Sequence, residues 1–186
     1  LFAHARQFRE RTGKPYLIQS LVGDPAGAAR NMYTYVMAQR SQLFPDPKHL
    51  RMNTPEGQRV AELFRQLTAQ GLGTSNMDTP AAIAAFMNGE GGIYPTGTWM
   101  IGQFETEEKT AGRPLYRSYA VLNYPRLWGD HVVFASGHAW VVPKRERTAA
   151  ERQHGGRFFR LMAPHNFDWA RTGHLPSMQA VIDNPQ

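Results

Sequence analysis

The stretch AFMNGEGGIYPTGTWMIGQF, residues 85–104, decides how the fold is read. It opens as the end of a helix, with Ile83, Phe86 and Met87 on one face, Thr79 as the cap, Pro80 in the first helical position and Gly89 as the stop. Gly91-Gly92-Ile93-Tyr94-Pro95 then reads as a short strand that delivers the chain to a turn at Thr96-Gly97-Thr98. Trp99 follows, and the residues after it start another helix. A buried turn rarely needs so many glycines beside so large a ring. Trp99 is therefore either a core residue or a ring presented at the rim of a cleft.

The same alternation extends in both directions. Leu1, Ala5 and Phe8 have helical spacing, and Gly13 stops that helix. PYLIQSL (15–21) reads as a buried strand, GDPAGAARN (23–31) as a loop and NMYTYVMAQ (31–39) as a helix, followed by a proline-broken loop at 43–50. The clearest helix begins at Thr54-Pro55, carries Val60, Leu63, Phe64 and Leu67 on one face and ends at Gly71. SYAVLNYP (118–125) reads as a strand, and 127–144 as two strands around Ala135-Ser136-Gly137-His138. A helix capped by Thr148, a shorter one in HNFDWARTG (165–173) and an extended exit at 174–182 complete the chain. Helices alternating with short strands imply an α/β layered architecture.

The chain has 186 residues, enough for one ordinary domain or one and a half lobes, and no cysteine, which excludes disulfides, thiolate zinc sites and cysteine nucleophiles. No run approaches the roughly 18 apolar residues of a membrane span, and no signal-peptide pattern opens the chain. The formal charge is +6 and the pI about 9.9. The basic residues are scattered over RQFRER, KRER and RFFR, each on a helix or its edge, so solvated helix faces explain them better than a phosphate-tracking stripe. Nucleic acid is not an expected partner.

Five segments in order carry a resemblance: NTPEGQRVAELFRQLTAQG, AAFMNGEGGIYPTGTWMIGQF, YAVLNYP, GHAWVVPK and a helical pair ending RTGHLPS. This succession resembles the extracellular solute-binding proteins of ABC sugar importers, family 1 type, over nearly all of the chain. The resemblance implies an α/β fold of the type II periplasmic-binding-protein-like class, with one lobe largely present and part of the second. It implies an internal piece of a longer protein: residues 1–132 as most of the C-terminal, ligand-binding lobe, 133–175 as a hinge crossing and return excursion, and 176–186 as an incomplete return crossing. It also implies a carbohydrate ligand, a membrane permease as partner, a monomeric full-length protein, a periplasmic or extracellular location with a lipid anchor or secretion signal upstream, and neither cofactor nor catalysis.

In that family the tryptophan of this turn stacks on sugar, and the match here is to Gly97-Thr98-Trp99. An indole face packs well on the C–H face of a sugar, glycine allows close backbone approach and threonine hydroxyls bond sugar hydroxyls. The plain alternative is a core tryptophan. Ser136, Gly137 and His138 fall where the family's chain crosses between lobes. Gly137 can expose backbone amides and His138 can donate from a neutral ring, although histidine departs from the family's pattern and a simple hinge turn explains the segment equally. Arg30 and Asn31, at the start of a helix, correspond to a cleft-facing position in relatives. Arg171 in WARTG is a further candidate, with a surface ion pair as its ordinary fate. Tyr33 and Tyr35 read as helix-core rings and Trp140 as core.

The enzymatic alternatives rest on less. A glycoside hydrolase needs two carboxylates about 5 to 9.5 Å apart, and only Asp24, Glu90 and Asp130 occupy loop positions near the apolar turns. Ser136, His138 and Asp130 name a triad on paper, but no G-x-S-x-G elbow accompanies them. H-E-x-x-H is absent, and no metal is expected. A sugar- or phosphoester-acting hydrolase of α/β fold and a basic nucleic-acid module are the rival readings.

Overall fold

The structure is a computed structural model and describes residues 1–21 and 23–183. Val22 and residues 184–186, the last part of the expected 176–186 crossing, lie outside the described residues. The chain divides into two compact units. The first comprises Leu1–Pro95 and Glu107–Ala135, and the second Thr96–Thr106 and Ser136–Gln186.

In the first unit, α1 (Phe2–Thr12) ends at Gly13, whose backbone is left-handed. α2 (Pro25–Met37) begins six residues before the expected start at Asn31, because Asp24-Pro25 is a helix entry and not a turn. The Asp24 carboxylate accepts from Ala26 N and proline fills the first position, where its missing N–H costs nothing. α3 (Pro55–Ala69) forms as read, with Thr54 Oγ1 accepting from Gly57 N. α4 (Thr79–Met87) also forms, but its cap is Asp78, which accepts from Ala81 N one residue earlier than expected. α2 packs on α3. Ala5, Leu17, Val36, Val60, Leu67 and Leu72 are at the centre of the core.

The expected α/β, type II periplasmic-binding-protein-like architecture is not the one adopted. Among the described residues 47% are helical and 3% strand, with no sheet. Where PYLIQSL was read as a strand, Leu17 alone makes parallel bridges, one to Gly73 and one to Ile93. The backbone there is nevertheless held on both sides. Tyr16 N and Leu17 N donate to Leu72 O at 2.9 and 3.0 Å, Ile18 N donates to Ile93 O at 2.8 Å and Ile93 N donates to Tyr16 O at 2.8 Å. Thr74 Oγ1 accepts from Gln19 N at 2.8 Å and donates to Gln19 O at 2.9 Å. A side chain thus takes over where a ladder would have continued.

Residues 118–125 and 127–144 have a strand-like composition but pair with no neighbour among the described residues. Apolar residues there stand in solvent, Leu122 at 81% exposure. Strand propensity measures fit to a packed, pleated surface, and without a partner backbone it produces no strand.

The second unit holds a 3-10 turn at Thr98–Met100 that leads into α5 (Ile101–Lys109), whose last residues from Glu107 belong to the first unit, then α6 (Ala149–Met162), a 3-10 turn at Ala163–His165, α7 (Asn166–Ala170) and α8 (Gln179–Ile182). Thr148 and Glu151 form a reciprocal capping box at α6: Thr148 Oγ1 accepts from Glu151 N, and a Glu151 carboxylate oxygen accepts from Thr148 N at 2.8 Å. The segment expected to leave as an extended exit instead forms α8. Asn166 holds the chain before it, donating to Ser177 Oγ and accepting from Ser177 N, both at 3.1 Å. Trp140, read as core, is 69% exposed and touches Phe158 edge-on with centroids 5.2 Å apart.

Leu67 is fully buried and Leu161 is 68% exposed, so truncation should separate them. Leu67→Ala is expected to cost about 2–5 kcal/mol and Leu161→Ala no more than about 0.5 kcal/mol. Urea denaturation followed by circular dichroism measures both.

Candidate functional site

Two groups of residues have a site's chemistry, one in each unit. The first starts from Asp24, which caps α2 and is held by Thr79 Oγ1 at 2.8 Å and by Arg30 at 3.3 Å. These contacts, the Thr79 bond foremost, hold its carboxyl below the usual range. Arg30 is thereby tied to the helix that bears it. Asn31, one residue on, accepts from the Tyr124 hydroxyl. Tyr124 is fixed in turn from its backbone, where His131 Nε2 donates to the Tyr124 carbonyl at 2.8 Å.

Tyr124 lies against Tyr35 with ring centroids 5.4 Å apart, and Tyr35 also packs on Phe64 and Trp128. Burial pushes the Tyr124 phenol up to about 12. Burial raises Tyr35 further, with the Tyr124 hydroxyl beside it adding to the effect. Both phenols are therefore neutral donors at physiological pH. Gln19, Asn31, Tyr35 and Tyr124 line one hollow, whose remaining wall is apolar. Tyr33, as expected, is a packing ring, edge-on to Phe134 at 6.0 Å.

The second group gathers around the turn that opened the sequence reading. Trp99 is 45% exposed. Its six-membered ring lies over Gly97, where an added Cβ would stand 1.9 Å from Trp99 Cζ3. Glycine at 97 is what allows the indole to fold back on its own turn. The RTG segment comes close to the same turn: Gly173 has φ +93°, and a Cβ there would stand 1.9 Å from the Thr98 carbonyl oxygen. Only glycine satisfies both the backbone conformation and the contact.

Past Gly173, His174 stacks on Trp169 with centroids 4.2 Å apart and an interplanar angle of 17°. His138 meets both edge-on, at 6.2 Å from Trp169 and 5.9 Å from His174. Half-exposed Trp169 thus belongs to the group that contains His138. In this segment the sequence points to Arg171, and Trp169 and His174 are the residues it leaves unnamed. The available signal was the pairing of W and H either side of a glycine turn in WARTGH. Ser136 and Gly137 are exposed, and a Cβ on Gly137 would meet open space. Arg171 is exposed on the turn after α7.

Two of the carboxylates named for catalysis have structural partners. Asp130 receives two hydrogen bonds from Arg40, at 2.9 and 3.1 Å, and Asp24 is the α2 cap. The His138 ring has aromatic neighbours.

A family model described as bacterial extracellular solute-binding protein matches residues 1–186. The chain belongs to that family. Among curated proteins nothing matches, and among solved structures nothing does either. Membership makes the protein an extracellular or periplasmic solute-binding component, with a solute as ligand and a membrane transporter as partner. Solute-binding proteins of this family are typically non-enzymatic.

The two buried phenols supply a direct test. Of the seven tyrosines, Tyr124 should ionise only near pH 12 and Tyr35 later still. Because the folded values are raised, their stabilising contribution is complete below the ordinary phenol value of about 10 and is lost as pH rises through 12. Ultraviolet titration of phenolate should show two delayed groups that titrate together with alkaline unfolding, and Tyr124→Phe should remove one. Seven ionisations near pH 10 in a folded protein would contradict the packing described.

Proposed function

We propose that this solute-binding protein takes a neutral carbohydrate and delivers it to the permease of an ABC transporter, and that Trp99 is the surface on which the sugar lies. The observation that carries the reading is the half-exposed indole, held by its own turn over Gly97. A flat ring kept partly in water, with glycine on one side and hydroxyl-bearing Thr98 beside it, fits the alternating C–H faces and hydroxyl edges of a saccharide. Held in advance, the ring has little rotamer freedom left to lose on binding.

His138 and Arg171 belong to the same unit as Trp99 and supply donors for sugar hydroxyls in this reading, with Ser136 and Gly137 as adjacent backbone contacts. Arg30 and Asn31 lie in the first unit, where Arg30 is paired with Asp24 and Asn31 accepts from the Tyr124 hydroxyl. No bond is made or broken in the solute. Binding is worth energy to transport only if the transporter-competent conformation holds the sugar more tightly than the alternatives do.

Isothermal titration calorimetry with a panel of mono- and oligosaccharides tests this. At least one sugar should bind, without being consumed. Trp99→Ala should weaken it at least about tenfold, equivalent to about 1.4 kcal/mol. Gly97→Ala should weaken it also, by displacing the ring, whereas Trp140→Ala should change affinity less than about twofold. Hydrolysis of the sugar, or binding that survives Trp99→Ala unchanged, would overturn the proposal.

A further inference from the structure

α6 buries no residue. At about 100° per residue, Leu161, Phe158, Met162 and Phe159 follow one another along one side of it, and Arg152, Arg160 and Arg157 fill the other. All four apolar side chains are exposed, Leu161 the most. Trp140 extends the apolar side, edge-on to Phe158, and the exposed Val141 and Val142 come next in the chain. All of these residues belong to the second unit. An exposed apolar face rimmed by polar residues marks an interaction surface.

The charge around this face selects its partner. Residues 144–160 contain six Lys or Arg against Glu146 and Glu151, a net +4 of the chain's formal +6. Glu151 is already taken by the cap of α6 and by Arg145 at 2.9 Å. Arg147 donates to the Pro143 carbonyl, and Arg152 to that of Arg147. Arg157 and Arg160 form no ion pair among the described residues, so their guanidinium groups are open to an external anion. A second copy across a two-fold axis would set the same cations against one another. An anionic bilayer meets every part of the face. Phe, Leu and Met side chains enter the acyl boundary, an indole sits at headgroup level, and guanidinium groups bond lipid phosphates while their stems lie on apolar surface.

We infer that α6 and the Trp140–Val142 segment form a docking surface for the anionic headgroup layer of a lipid bilayer, with the helix lying in the interface plane. The contact is peripheral, since no helix among the described residues is long and apolar enough to cross a membrane. It uses neither Trp99 nor a bound solute. It keeps the protein close to its membrane transporter.

The experiment sediments the full chain with vesicles of phosphatidylcholine alone and with vesicles of equal parts phosphatidylcholine and phosphatidylglycerol. The protein should bind the phosphatidylglycerol vesicles only, and less as salt is raised. Arg157→Gln and Arg160→Gln should each weaken binding about fivefold. Leu161→Asp should weaken it at least about tenfold. Arg157→Lys should keep most of it, because a lipid surface reads charge. None of these side chains is buried, so the variants should fold, as circular dichroism checks. Failure to bind phosphatidylglycerol vesicles, equal binding to both compositions, or binding unchanged in Leu161→Asp would overturn the inference. So would dimerisation without vesicle binding that Leu161→Asp abolishes, which would assign the face to a second copy.

Discussion

Everything placed in the first unit depends on how residues 16–19 are held between two other stretches of chain. Leu72 O takes two N–H groups on one side, and Ile93 exchanges bonds with Tyr16 and Ile18 on the other. Thr74 then secures Gln19 where backbone pairing ends. Because these bonds are short-range and directional, they fix where Leu17 enters the core and where Gln19 faces the hollow. They also fix the path through Ile93 to Pro95, from which the chain passes into the turn that carries Trp99. A break there would loosen the hollow beside Gln19 and the helical core together.

The two candidate groups differ in the kind of rigidity they possess. Around Asn31 and Tyr124 the order comes from burial, with phenol on amide, ring on ring and His131 on a carbonyl. Around Trp99 it comes from the absence of side chains, because Gly97 and Gly173 leave the space into which the indole and the Thr98 carbonyl fit. The first arrangement favours hydrogen bonding in a low dielectric, where an unmet donor is costly. The second favours stacking on a half-wet ring. The second arrangement is the one on which the proposed saccharide lies, and membership of a solute-binding family makes a bound solute the protein's business.

The helices were legible in the sequence because their signals are local. Thr54-Pro55 and Thr148 name two starts correctly. Asp24-Pro25 reads as a turn although the same pair chemistry serves as a cap, and the six residues this misplaces contain Arg30. The strands were not legible, since a strand needs a partner that its own residues cannot specify. VLNYP and HAWVVPK have the right composition and make no strand pairing among the described residues, while PYLIQSL finds two partners and bridges each once. Exposure of Trp99 was open in the sequence and became definite only through its contact with Gly97. Trp169 and His174 escaped notice because their stacking follows from a left-handed glycine that no spacing rule identifies.

The proposal that a neutral saccharide lies on the Trp99 ring is open to direct test. The most direct measurement is the set of four indole N–H resonances of the nitrogen-15-labelled chain as a bound sugar is added. The Trp99 resonance should move saturably, with the dissociation constant found by calorimetry, and the buried-cluster resonance of Trp128 should stay in place. A Trp99 resonance that remains fixed while the sugar demonstrably binds would contradict the account.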